Sequence, residues 1–250
     1  MARLNINKAL FQTFLTGFGP GVGDLKVEAK SGHLHGVVAL PTHLLRTQVP
    51  ADIEDSGAII FSDIPKVLSF LRALPKNANS LSVWQPKNRP LKLSCGMTSV
   101  EIPTTDYVRS NINVPRALLL IEEAENDLWK SWAGESLGSH MRLDSAWLSE
   151  VGDMRKVVGK DMTYITTFDP PESKFIITAG QAGGVKMSVG VELETHDGPR
   201  ASSTFGPWLS DLMRCVPAGP VDAFTADDYI LVLHHVEKEH LLIILDQQGG

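Results

Sequence analysis

An α+β chain of two similar units, each with two helices backed by antiparallel strands, is the fold the sequence predicts. Three observations carry this. First, the segment Pro65-Lys66-Val67-Leu68-Ser69-Phe70-Leu71-Arg72-Ala73-Leu74-Pro75 reappears without a gap as Pro207 to Pro217: the opening proline, the central apolar pair, the arginine and the closing proline coincide. Second, "RLNINKALFQTFL" and "RLDSAWLSEVGDMRKVV" both open on Arg-Leu (Arg3-Leu4, Arg142-Leu143) ahead of apolar residues at helical spacing. Third, β-rich alternating runs lie between and after these segments in both halves. Self-similarity of this kind signals a duplicated structural unit.

Taken in order, the first helix is predicted within residues 5–18 and the third from Ser145, each after its Arg-Leu and each with an apolar stripe at 3.6-residue spacing. Strands follow over Leu25 to Ala29 and Leu34 to Val49 in the first half. In the second they cover Thr163 to Phe168, Phe175 to Ala179 and Val185 to Glu194. The proline-bracketed segments come next as helices of about three turns, because proline is tolerated in a first turn and stops a helix at its far end. A phenylalanine, Phe61 or Phe205, stands shortly before each. The halves then close on strands: Leu81 to Trp84, Leu91 to Cys95 and Thr98 to Ile102, against Val221 to Thr225, Tyr229 to His234 and His240 to Leu245. The organisation expected is residues 1–107, a connector over 108–140 containing "PRALLLIEEAENDLWKSWAGES", and residues 141–250.

Composition narrows the chemistry. The 250 residues are 43% hydrophobic and 21% charged, enough to bury real cores. The start "MARLNINKAL" has no long apolar segment and no run approaches spanning length, so an intracellular protein without a membrane partner is expected. Cys95 and Cys215 are the only cysteines, too few for a disulfide framework or a four-cysteine metal site. "GESLG", Gly134 to Gly138, matches a nucleophile-elbow pattern. With Asp222 and His234 downstream it offers an alternative, a serine esterase-type hydrolase using Ser136. An elbow needs a buried strand before the serine and a helix after it, and the residues ahead of Ser136 are polar. His234, His235 and His240 cluster in "HHVEKEH", but consecutive strand residues point to opposite faces, so neither a metal nor any other cofactor is expected. No G-x-x-x-x-G-K-[ST] occurs, so the chain carries no nucleotide motor of that kind.

The helices differ in charge from the rest. Windows 5–18, 63–76, 145–160 and 206–217 hold eight basic and four acidic residues, a balance of +4 in a chain of net −6, leaving −10 elsewhere. A solvated helix surface can have such a surplus by itself; its recurrence in both halves is what points to a polyanion.

With this order of elements the chain resembles a DNA polymerase sliding clamp of the proliferating cell nuclear antigen and tailed-phage type. The similarity covers nearly the whole length. "KSGHLHGVVALPTHLL" sits where those clamps have a central strand, and "DIPKVLSFLRAL" is similar to a phage clamp's second helix. The resemblance implies the DNA-clamp fold and a ring closed by six such domains, hence a homotrimer here, with helices inside and sheets outside. It implies a non-enzymatic processivity factor for DNA replication. Duplex DNA would be held without regard to sequence through Lys8, Lys66, Arg72, Lys76, Arg155, Lys156, Lys160 and Arg214. It implies further partners: a DNA polymerase and a separate clamp-loader ATPase. A partner pocket would draw on His33, Leu34, Leu118, Leu119, Ile121 and Leu245. Subunits would join through Thr98, Val100 and Ile102 of one chain and Lys186, Ser188 and Gly190 of the next. The location implied is the cytoplasm, or the host cytoplasm or nucleoid if the protein is viral. A clamp-fold scaffold for repair or transcription is the other reading of the same resemblance.

Overall fold

The computed structural model describes residues 1–19, 21–87, 89–104, 108, 114–116, 131–132, 135–181 and 183–245. The chain packs as two compact units, Met1–Ala39 with Arg46–Pro115, and Leu40–Leu45 with Arg116–Gly250.

The first 115 residues hold the strands β1 (Ala2–Asn7), β2 (Leu25–Lys30), β3 (His33–Leu40), β4 (His43–Pro50), β5 (Asp52–Asp55), β6 (Gly57–Phe61), β7 (Ser80–Gln85), β8 (Leu91–Cys95) and β9 (Thr98–Ile102). Helix α1 spans Lys8–Thr16 and α2 spans Ile64–Ala73. One antiparallel sheet has the order β5-β1-β7-β8-β9; β4, β3, β2 and β6 are neighbours in that order in another. A two-residue hairpin, β10 (Ser131–Trp132) with β11 (Glu135–Ser136), precedes the strands of unit 2. Those are β12 (Ser139–Asp144), β13 (Thr163–Asp169), β14 (Lys174–Gly180), β15 (Lys186–Glu192), β16 (Thr195–Asp197), β17 (Ala201–Phe205), β18 (Pro220–Thr225), β19 (Ile230–His235) and β20 (His240–Leu245). Helix α3 (Leu148–Val158) follows a 3-10 turn at Ser145–Trp147, and α4 is Leu209–Met213. Here the neighbours run β16-β12-β18-β19-β20 and β15-β14-β13-β17. Replacing each strand of unit 1 by its counterpart in unit 2 reproduces both orders, so the predicted α+β class and its duplication are what the structure has.

The elements follow from local chemistry. Strands with one face on the helices alternate, as in β2, where Leu25, Val27 and Ala29 are buried and the residues between are exposed. Helix α2 starts at Asp63, whose Oδ1 accepts from the Lys66 N–H at 2.9 Å, with Pro65 in the first turn. It buries Ile64, Val67 and Leu71, each large apolar side chain contributing about 1.5–3 kcal/mol. Helix α1 buries Phe11, Phe14 and Leu15, and Phe11 meets Phe61 of β6 at 5.7 Å between ring centroids.

Three readings of the sequence are sharpened. The shared Arg3-Leu4 and Arg142-Leu143 lie in strands β1 and β12 ahead of the helices: Ala2, Leu4 and Ile6 alternate toward the core, and helical spacing begins at Lys8 and, after the 3-10 turn at Ser145, at Leu148. The run Leu34 to Val49 is two strands with a turn. The Pro207 segment forms a shorter helix than its echo in unit 1. Strands β5 and β16 were not predicted at all. After each of these two strands a glycine touches the backbone just ahead of the unit's first strand. A Cβ on Gly57 would lie 2.6 Å from the Met1 carbonyl oxygen, and one on Gly198 (φ +100°) 2.0 Å from that of Gly138. Within unit 2, the Leu245 N–H donates to the Thr42 carbonyl at 3.0 Å.

Candidate nucleic-acid interface

Each unit carries two neighbouring helices with buried apolar faces; α1, α2 and α3 leave polar positions open, whereas α4 has only Asp211 half-buried and Arg214 exposed just past its end. On α2 the exposed positions are Pro65, Lys66, Ser69, Arg72 and Ala73, with Lys76 just beyond the end, so the three cations share the exposed side of the helix. Among the described residues Arg72 and Lys76 take part in no ion pair, whereas the Lys66 Nζ lies 2.8 Å from Asp63 Oδ2. The Lys66 hydrogen bonds hold the Asp63 carboxyl below its ordinary range. Lys8 opens α1 and turns inward, donating to the Leu74 and Pro75 carbonyls at 3.4 and 3.2 Å. A cation on the last carbonyls of a helix is favourable, so Lys8 ties α1 to α2 and its charge is partly spent there.

Unit 2 presents Ser149, Asp153, Lys156 and Lys160 in an exposed line on and after α3, with Val157 also exposed. Its cations are more fully matched. Lys156 Nζ and Arg214 Nη2 lie 2.8 and 2.9 Å from the same Asp153 Oδ1, and Arg155 Nη1 is 3.3 Å from Asp211 Oδ2. Lys156 first and Arg214 second lower the pKa of Asp153. Lys160 has no such partner among the described residues. Arg214 reaches across α3 at Gly152, whose carbonyl accepts from Nη2 at 2.6 Å. The carboxylates Asp63, Asp153 and Asp211 belong to this surface as much as the cations do. The i,i+3 pairs Asp63–Lys66 and Asp153–Lys156 were legible in the sequence, but Arg214–Asp153 joins residues 61 apart and left no local signal.

The other expected sites divide. Strand β9 ends one five-stranded order and β15 ends a four-stranded one, so both are edge strands. Thr98 is exposed and Val100 half-buried. Ile102 is buried, so only its backbone can reach a partner; Lys186, Ser188 and Gly190 are exposed. His33 is half-buried with Nδ1 3.0 Å from the Ser31 carbonyl oxygen, and Leu245 is half-buried. Leu34 is fully buried on the inward face of β3 and fills the core of unit 1, which corrects its assignment to a surface a partner could touch. Leu118, Leu119 and Ile121 lie outside the described residues.

The hydrolase reading fails on geometry. Ser136 ends a two-residue strand opposite Ser131, and the next element is strand β12 rather than a helix. Asp222 faces Arg142 and His234 across its ladders, and its Oδ1 lies 3.4 Å from His140 Nε2. No group of His, Cys, Asp or Glu suited to a metal ion occurs among the described residues. His235 and His240 face each other across the β19–β20 hairpin, both buried. No helix among the described residues is long and apolar enough to cross a membrane.

No protein-family model matches the chain, and no curated protein matches it. Solved structures do. The PCNA of A. fulgidus, bound to the C-terminal region of FEN-1, is 13% identical with a TM-score of 0.68 over 98% of both chains. The PCNA2–PCNA3 complex of Sulfolobus tokodaii gives 14% identity and a TM-score of 0.72 over 98% of this chain and 99% of that one. The Helicobacter pylori beta clamp bound to a DNA ligase peptide gives 10% and 0.66, over 99% of this chain and 67% of the longer clamp. Across nearly its whole length, this chain has the fold of the DNA sliding clamps.

Proposed function

We propose that the protein is a DNA sliding clamp, a non-enzymatic processivity factor that encircles duplex DNA and tethers a DNA polymerase and other replication proteins. The observation that carries this is the strand order repeated in two units with an edge strand, β9 and β15, available in each. Three two-unit chains joined head to tail, β9 of one to β15 of the next, use up both edges and close the assembly. Unprotected edges on a monomer would invite aggregation.

The helices then line the hole. Lys66, Arg72, Lys76, Lys156 and Lys160 are the exposed cations that would meet phosphates, with Arg155 and Arg214 contributing less through their carboxylate pairs, and Lys8 least. Contacts of this kind read no bases, weaken with salt and permit sliding. A closed ring without a motor of its own needs a separate loader ATPase. The FEN-1 region on A. fulgidus PCNA and the ligase peptide on the H. pylori clamp support the reading that short segments of replication proteins dock here too. His33, Leu245 and the connector residues Leu118, Leu119 and Ile121 are the candidates for that contact. The site of action would be the cytoplasm or nucleoid, in a host cell if the clamp belongs to a phage.

Two measurements test the proposal. Molar mass in solution is expected to correspond to three chains; a monomer at every concentration would refute ring closure. Charge reversal at Lys66, Arg72 and Lys156 together is expected to shorten retention on circular DNA and flatten its salt dependence. Retention indifferent to these changes would contradict the lining. The internal neutralisation of Lys66, Arg155, Lys156 and Arg214 favours a second reading, a clamp-fold scaffold that grips DNA weakly. Primer extension with the matching polymerase and loader separates the two, since only the processivity factor lengthens the product.

A further inference from the structure

The outer face of the β5-β1-β7-β8-β9 sheet is not used by the reading above and is independent of it. On β7, Leu81, Val83 and Gln85 are buried, while Ser80, Ser82 and Trp84 point the other way. Trp84 is 39% exposed and lies on the central strand of the sheet, one residue from that strand's end. Its register neighbours are Arg3 on β1 and Lys92 on β8, so an indole lies between a guanidinium and an ammonium. Strand spacing separates the two cations' backbones by about 10 Å. The next row down is Asn5, Ser82, Ser94 and Ser99, all small and hydrogen-bonding. Arg3, Ser82, Trp84, Lys92 and Ser94 together line a cavity of about 230 Å³.

We propose that this cavity is a stacking site for single-stranded nucleic acid, taking one base on Trp84, with the adjoining phosphates on Arg3 and Lys92 and the base edge near Ser82 and Ser94. An aromatic ring on an open sheet, flanked by cations, is the physical recipe for sequence-tolerant single-strand binding. The size decides for a single ring, since the cavity is smaller than the roughly 300–1,000 Å³ of drug-sized ligand sites. The two cations nearest the ring favour a nucleotide over an uncharged ring such as a sugar. Glu54 and Glu101 anchor the cations from the outside, at 2.9 Å to Arg3 Nε and 3.5 Å to Lys92 Nζ. These carboxylates confine the anion to the middle of the row, so the site holds a short contact and not a long track.

The test uses the full chain, low salt and a fluorescent oligo-dT of about 15 nucleotides, near the site size of one single-strand module. Anisotropy is expected to show binding that Trp84→Ala weakens at least about fivefold, that Trp84→Phe largely restores, and that Arg3→Ser with Lys92→Ser also weakens. Trp84→Ala is expected to leave binding of a linear duplex unchanged, which a general loss of folding would not. Three results would overturn the proposal: no oligo-dT binding; binding that falls with the Lys66, Arg72 and Lys156 reversals but not with Trp84→Ala; or equal binding of mononucleotide dTMP. An acidic aromatic peptide that occupies the site in preference to oligo-dT would also replace it.

Discussion

Gly152 and Arg214 form a coupled pair whose energetics can be worked out from their geometry. A Cβ placed on Gly152 would lie 2.2 Å from Arg214 Nε, 2.8 Å from Cγ and 3.0 Å from Cδ, so Gly152→Ala must displace the arginine. Two effects then oppose each other. Alanine for glycine inside a helix stabilises by about 1 kcal/mol. Displacement removes the hydrogen bond from Arg214 Nη2 to the Gly152 carbonyl. A charged donor is worth about 1.5–3 kcal/mol when buried, and about 1 kcal/mol for a side chain that is 47% exposed. Gly152→Ala alone is therefore expected to be near neutral, and Arg214→Ala alone to cost about 1 kcal/mol. In the Arg214→Ala background the clash is gone, and Gly152→Ala should stabilise by about 1 kcal/mol. Urea unfolding of the four proteins at one chain concentration measures the coupling, expected at about 1 kcal/mol. Effects that add to within about 0.3–0.5 kcal/mol would show that Arg214 does not lie across α3 as described.

Other outcomes follow from burial. His43 and His240 are buried, and desolvation lowers the pKa of each to about 4. The folded pKa lies below the unfolded value near 6.5, so the unfolded chain binds more protons between the two. Stability should fall from pH 6.5 to pH 4, by about 3 kcal/mol per histidine at the lower end; a thermal midpoint flat over that range would contradict their neutral burial. Burial also pushes the Cys215 thiol up to about 12. Iodoacetamide at pH 8 should leave Cys215 unmodified in the native protein, as read by peptide mass spectrometry, and labelling at the unfolded-chain rate would count against this. Leu34→Ala should cost about 2–5 kcal/mol in urea unfolding, as expected for a fully buried leucine. A cost below about 1 kcal/mol would restore Leu34 as a surface residue.

Much of the fold was legible where periodicity was strong. Strands β8, β9 and β20 have the bounds that alternation and flanking turns predicted, and the proline-bracketed echo located α2 and α4. The boundary between β1 and α1 was not legible. Leu4 and Ile6 follow period two, but they run directly into Leu10, Phe11, Phe14 and Leu15 at helical spacing, with Asn7 as the cap and no proline or glycine between. Strands β5 and β16 are "DIED" and "THD", polar edge segments without a buried residue, so no hydrophobic pattern exists to find them. The site was legible as a set of cations on helices. Its balance was not, because the carboxylates that temper Arg155 and Arg214 come from another helix of the same unit. Trp84 and Arg3 are 81 positions apart and meet only through strand register.

Gly57 and Gly198 show what tandem copying leaves behind once sequences have drifted apart. Most residues differ between the two halves, yet a hydrogen atom stands in place of a side chain at the same corner of each. No later accommodation can make room there, because the obstacle is main chain. A substitution at either corner would have to move the strand beside it, so the two glycines pin the entry to the first strand of each half.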